Sequence, residues 1–187
     1  MSRKVKAAAI QMRCSNNVGD NIKKADEMTR EAVKKGANII LLPELFERQY
    51  FCQERRYEYY AYAKSVQEND AVQHFTQTAK ELGVVIIVSF YEKNINVLYN
   101  TVTVIDADGS NLGIYRKTHI PDDHYYQEKF YFTPGNTGFK VFNTRFGNWS
   151  WNLLGPVVSG NGKKHGTFRG RTFILFDCNW FGTDFGM

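Results

Sequence analysis

The chain has 187 residues, 43% of them hydrophobic and 23% charged, which suffices for one domain with a sizeable core. That excludes a disordered tail, a collagen-like fibre and a disulfide-stapled mini-protein. The net charge is +5, and the stretch after Gly147 holds four basic residues against two acidic ones, so the basicity is concentrated there.

Cys14, Cys52 and Cys178 lie far apart without CxxC spacing, so neither a disulfide framework nor a zinc site is expected, and a reducing cytosol fits. The opening MSRKVKAAAIQM is too short in apolar length for a signal peptide or a membrane span, and no later run reaches spanning length. The chain is therefore expected to be cytoplasmic and to have no membrane partner.

Residues 4–11 form an Ala/Val/Ile run expected to be a buried strand. Residues 20–35 place Ile22, Ala25, Met28, Ala32 and Val33 at helical spacing, and Gly36 stops that helix as a left-handed cap. The NIILL of residues 38–42 is a continuous apolar strand, the mark of a sheet covered on both faces. A helix over 71–82 ends at Gly83, and the VVIIVSF of 84–90 is another buried strand. A β-branched strand over 98–105 turns at Asp106–Gly109 (DADG) and returns over 112–117. The order βαβαβββ predicts an α/β class with a mixed sheet.

The tail departs from these habits. It holds Trp149, Trp151 and Trp180, all three tryptophans of the chain, no Glu, no Ala and scattered glycines. Only 172–176 shows a clear apolar run, and a Gly-rich loop region is one reading of the rest.

Glu44 follows the apolar strand and Pro43, at the carboxyl edge where open α/β sheets present reactive groups; the alternative is a solvated loop carboxylate. Lys117 ends the 112–116 strand in the same manner. A lysine held partly desolvated beside a carboxylate can stabilise an oxyanion; the alternative is a snorkelling surface lysine. Glu128 is a carboxylate among aromatics in YYQEKFYF, or else a surface partner of Lys129.

Together, AAAIQM, GANIILLPELFE with QYFCQ, AKELGVVIIVSFYE, NTVTVIDADGSNLGIYRKTHIPD and YQEKFYFTPGNTGFKVF resemble the nitrilase superfamily of carbon–nitrogen hydrolases, nearest the branch whose members hydrolyse N-carbamoylputrescine. The resemblance covers residues 4–147 almost continuously. It implies a cysteine-nucleophile amidase on an αββα four-layer sandwich, of which this chain holds the N-terminal part in 1–147. No metal or organic cofactor is implied. By matching motifs, Glu44 corresponds to the general base, Lys117 to the oxyanion-stabilising lysine and Glu128 to a second carboxylate that orients it. A thiolate would attack the carbamoyl carbon and expel ammonia. Water would then release the amine and carbon dioxide. A small-molecule N-carbamoyl amine is the expected partner, with no nucleic acid, and the intact enzyme is expected to be a homo-oligomer in polyamine biosynthesis. Arg48, Asp123, His124 and Tyr125 depart from the small residues usual at their positions, which leaves another N-carbamoyl or ω-amide substrate open.

The family's nucleophile motif, of the form IGVGICWDQWFPE, should begin after Gly147, where this chain reads NWSWNLLGPVVSGNGKK. Cys14, Cys52 and Cys178 are each expected to be structural or incidental. A one-base shift of reading is compatible with the motif at every codon from Asn148 to Gly160. Trp149 and Trp151 then permit only its two glycines, and the codon spanning Leu153 and Leu154 permits its cysteine. Residues 148–187 are therefore expected to be a frame-shifted translation unrelated to the family, and the chain as written to be inactive. Such a half sandwich is expected to leave one apolar sheet face uncovered. In the competing reading, Lys163, Lys164, Arg169 and Arg171 make the tail a nucleic-acid-binding module.

Overall fold

The computed structural model describes residues 4–153 and 171–175. Residues 7–116 build a five-stranded sheet with two helices on one face. Its strands, in spatial as well as chain order, are β1 (Ala7–Ala9), β2 (Ile39–Leu41), β3 (Val85–Asn94), β4 (Val97–Ile105) and β5 (Asn111–Arg116). The first three run parallel, and β4 and β5 follow as antiparallel hairpins, so β5 again runs parallel to β3. The expected mixed sheet is present, with β1 shorter than the 4–11 run and β3 longer than 84–90.

Helix α1 (Val18–Lys34) begins where the Asn17 side chain accepts the Asp20 amide N–H. It ends before Gly36 at φ +87°, whose N–H donates to the Val33 carbonyl. Helix α2 (Asp70–Leu82) is capped by the Asn69 side chain and closed by left-handed Gly83. Their apolar stripes seat Ile22, Ala25, Phe75 and Ala79 on Ile86, Val88 and Phe90 of β3. Alternate β3 residues, Val85 and Ile87, face the other way.

That second face is covered, contrary to the expectation of a bare one. β6 (Phe142–Thr144), β7 (Gly147–Leu153) and β8 (Arg171–Leu175) form a second sheet, antiparallel between β6 and β7 and parallel between β7 and β8. Phe142 and Trp149 join Ile39, Val85, Ile87, Val102, Val104 and Tyr115 in an intersheet core. Strand pairing of residues 147–153 also replaces the loop reading there, where alternating polar residues hide the strand from hydropathy, while β8 falls on the apolar run noted over 172–176. Among the described residues, no helix is long and apolar enough to cross a membrane.

Candidate active site

Three charged side chains meet at the carboxyl edge of the sheet. Glu44 follows β2, Lys117 follows β5, and Glu128 opens a single 3-10 turn, Glu128–Phe130. All three are buried, at 0%, 2% and 1% exposure, so each must be compensated by a partner. Lys117 Nζ donates to Glu44 Oε1 at 3.0 Å and to both oxygens of Glu128, at 3.0 and 2.8 Å. The sequence therefore singled out three residues that the fold brings together. Glu128 pairs with Lys117 across the fold rather than with its neighbour Lys129.

Local structure explains the convergence. Leu45 occupies the left-handed region at φ +51°, uncommon for a residue with a branched side chain, and its N–H donates to Ser89 Oγ on β3 at 3.1 Å. That kink turns the chain as it leaves Glu44. The main chain of Lys117 is held from both sides, its N–H donating to the Asn100 carbonyl and its carbonyl accepting from Gly135 N–H, each at 2.8 Å. Gly135 is required by close approach, since a Cβ there would lie 2.1 Å from the Arg116 carbonyl oxygen. The Glu128 turn is tied to the Phe51–Gln53 turn through Gln127 N–H on the Cys52 carbonyl.

Two further residues complete the cluster. Asn100 Nδ2 donates to Glu44 Oε1 at 2.6 Å, and Tyr50 Oη donates to Glu128 Oε1 at 2.8 Å. Neither was singled out from sequence. Asn100 is a lone amide in a β-branched strand, which is the one signal available, and Tyr50 is hidden among many tyrosines.

The electrostatics follow from one cation facing two carboxylates in a buried site. Burial pulls the Lys117 ammonium down, but Glu44 and Glu128 outweigh it and raise it above the ordinary lysine value. Burial, and then the charge of Glu44, push Glu128 up to about 7 against the pull of Lys117 and Tyr50. The cluster therefore holds an ammonium at neutral pH and keeps a proton within reach of a carboxylate.

Cys52 lies against this cluster but is fully buried, and burial followed by the charge of Glu128 pushes its thiol well above the ordinary value. Cys14 is likewise buried, and burial raises it to about 11. Both are protonated, inert thiols. Cys178, Lys163, Lys164, Arg169 and the residue following Leu153 lie outside the described residues. Among the described residues, no group of three or more His, Cys, Asp or Glu is arranged to hold a metal ion. Of the residues that depart from the family's usual small ones, Asp123, His124 and Tyr125 are exposed, as is the neighbouring Asp122, 3.7 Å from Arg55, while Arg48 is partly buried.

A lysine buried between two carboxylates at the carboxyl edge of an α/β sheet presents a fixed cation that can stabilise a developing negative charge. Residues 6–159 match the carbon–nitrogen hydrolase family model, and the chain belongs to that family. It is 53% identical over 143 residues to N-carbamoylputrescine amidase of Oryza sativa subsp. japonica, covering 76% of this chain and 48% of that protein. It is 42% identical over 142 residues to citrullinase of Francisella tularensis subsp. tularensis, covering 76% and 50%. The fold superposes on a carbon–nitrogen hydrolase from Helicobacter pylori G27 with a TM-score of 0.75 and 32% identity, over 80% of this chain and 52% of that one. The chain spans about half the length of the curated relatives it matches.

Proposed function

We propose that Glu44, Lys117 and Glu128 are the charged part of the active site of a cysteine-dependent amidase whose substrate is an N-carbamoyl amine, N-carbamoylputrescine first among them. The observation that carries this reading is the Lys117 ammonium, buried between two carboxylates. Such a fixed, desolvated cation stabilises the oxyanion formed when a thiolate adds to a carbamoyl carbon. Glu44 takes the thiol proton and later activates water, while Glu128, gripping Lys117 with both oxygens, holds the ammonium in place. Addition converts the carbamoyl carbonyl to a tetrahedral oxyanion, its collapse expels ammonia, and water on the carbamoyl thioester gives the amine and carbon dioxide.

The nucleophile belongs to a corrected reading of the tail. The motif resemblance ends at residue 147, although the family model runs on to 159; 148–187 read as a frame-shifted translation whose cysteine arises at the codon spanning Leu153 and Leu154. Neither Cys14 nor Cys52 offers a thiolate in its place. A place in polyamine synthesis is supported by the name of the rice relative, and a cytoplasmic location by the unpaired Cys14 and Cys52; the homo-oligomer rests on the family resemblance alone. A second substrate, citrulline, is favoured by the Francisella relative, since its ureido group presents the same carbamoyl nitrogen.

A DNA read from the Phe146 codon past the Met187 codon, followed by ammonia-release assays, tests this. The expected result is one missing or extra base, no ammonia from the chain as written, and turnover of N-carbamoylputrescine above citrulline by the corrected-frame product. Ammonia release by the chain as written, abolished by Glu44→Gln, would overturn the missing-nucleophile reading. An inactive corrected-frame product would overturn the amidase reading.

A further inference from the structure

We propose that Asn100 is the positioning residue of the cluster, its side chain and main chain together setting Glu44 and Lys117 against each other. Its part in turnover rests on the amidase reading above. Asn100 is fully buried on β4, on the face it shares with Leu98, Val102 and Val104, where an amide is retained only if it is used. Nδ2 donates to Glu44 Oε1 at 2.6 Å, the same oxygen that receives Lys117 Nζ at 3.0 Å. The Asn100 carbonyl accepts the Lys117 N–H at 2.8 Å. A closed ring results, running from the Glu44 carboxylate through the Asn100 side chain and carbonyl to the Lys117 main chain, and back along the lysine to Glu44.

The ring explains an asymmetry in how the two carboxylates meet the cation. Glu128 grips Lys117 with both oxygens, whereas Lys117 hydrogen-bonds Glu44 at Oε1, where the Asn100 N–H joins it. Two donors from neighbouring strands thus fix one carboxylate oxygen. A carboxylate only accepts, so the amide must present its nitrogen to Glu44. Asn100 Oδ1 is then buried with no hydrogen-bond partner among the described residues. An aliphatic residue of the same size would avoid that orphan, and its presence marks the N–H on Glu44 as the reason for an amide at this position.

The test separates the side chain from the carbonyl. Asn100→Leu keeps the volume and the main-chain bond but removes the N–H, and Asn100→Asp keeps the shape while adding a third carboxyl. Asn136→Ala, which removes a contact to Arg116 Nη1 instead, is the control. In the full chain, labelled at lysine nitrogen and glutamate carboxyl carbon, Asn100→Leu is expected to speed hydrogen exchange of the Lys117 ammonium by about tenfold or more. Asn100→Asp is expected to raise the Glu128 titration, near 7 in the parent, by about one unit or more. Asn136→Ala should leave both readouts at parent values. Unchanged exchange and titration in the folded variants would overturn the proposal, and if Asn100→Leu does not fold, Asn100→Asp decides. Failure of both to fold would reduce Asn100 to a structural residue of β4 and overturn it as well. In the corrected-frame enzyme, Asn100→Leu should lower kcat by about tenfold to a hundredfold with KM little changed. The spectroscopic readouts need no turnover, so an inactive enzyme would sink the amidase reading and leave the positioning role standing.

Discussion

A buried ammonium and its counter-charges need one another, because an uncompensated charge in a buried interior costs several kcal/mol. Lys117 is buried and hydrogen-bonded to two carboxylates. Lys117→Met therefore leaves Glu44 and Glu128 facing each other, and denaturant titration should show a loss of about 3–5 kcal/mol. In the corrected-frame enzyme, Glu44→Gln keeps the acceptor geometry but cannot take a proton, so kcat for N-carbamoylputrescine should fall by about 10²–10⁴. The raised Glu128 makes stability depend on pH with a definite sign. A carboxyl that holds its proton more tightly when folded than the ordinary 4.5 favours the folded state below that value. That advantage is lost as pH rises from 4.5 to about 7. Thermal melts across this range should fall with pH, and Glu128→Gln should flatten most of the slope. Glu47, raised chiefly by burial, leaves a residue of the same sign. Asp26, which burial pushes up but Arg30, Thr78 and His74 pull down further, acts below 3.8 and outside this window.

The elements that position the cluster were legible wherever apolar residues repeat. The strands β2, β3 and β4 announce themselves as aliphatic runs, and Gly36 and Gly83 close the helices as expected, whereas the Asn17 and Asn69 side chains that open them were not singled out. The end of β3 was not legible, because its last turn of pairing carries Glu92, Lys93 and Asn94. Glu92 is nonetheless buried. Arg116 Nε and Nη2 grip its two oxygens at 2.8 and 2.6 Å, Thr101 adds a third bond, and the Tyr99 ring lies 4.1 Å from the guanidinium. Hydropathy reads a charge as exposed and cannot see that its partner lies two strands away. The candidate site shows the same division: Glu44 and Lys117 stand at strand ends, while Asn100 and Tyr50 act through contacts that only the fold creates. Glu92→Gln should cost about 3–5 kcal/mol by leaving Arg116 buried beside a neutral amide. Gly135→Ala should cost about 1–3 kcal/mol by forcing the loop off the Arg116 carbonyl. Melting of either variant checks this, and Gly135→Ala should also loosen the Lys117 main chain in hydrogen exchange.

At the scale of the molecule, two cores sandwich one sheet, one under the helices and one between the sheets, beside a third, aromatic cluster that includes Phe51, Tyr91 and Tyr131. The second closes with residues on either side of Gly147, where the family resemblance by motif gives way to the tryptophan-rich tail. Trp149 is 4% exposed and sits in the intersheet core beside Phe142. Trp149→Ala should lower stability by about 3–5 kcal/mol in denaturant titration through the cavity it leaves. The position of that indole also gives the protein an optical asymmetry. Residues 1–148 contain no tryptophan, so emission excited on the red edge of indole absorption comes entirely from the last part of the chain. With Trp151 and Trp180 replaced by phenylalanine, the remaining blue-shifted emission reports the seating of β7 on the first sheet. Helical circular dichroism reports α1 and α2 on the opposite face. Two transitions at different denaturant concentrations would resolve the molecule into a helix-covered layer and a tryptophan-sealed one, and a single shared transition would make the sheet between them one cooperative unit.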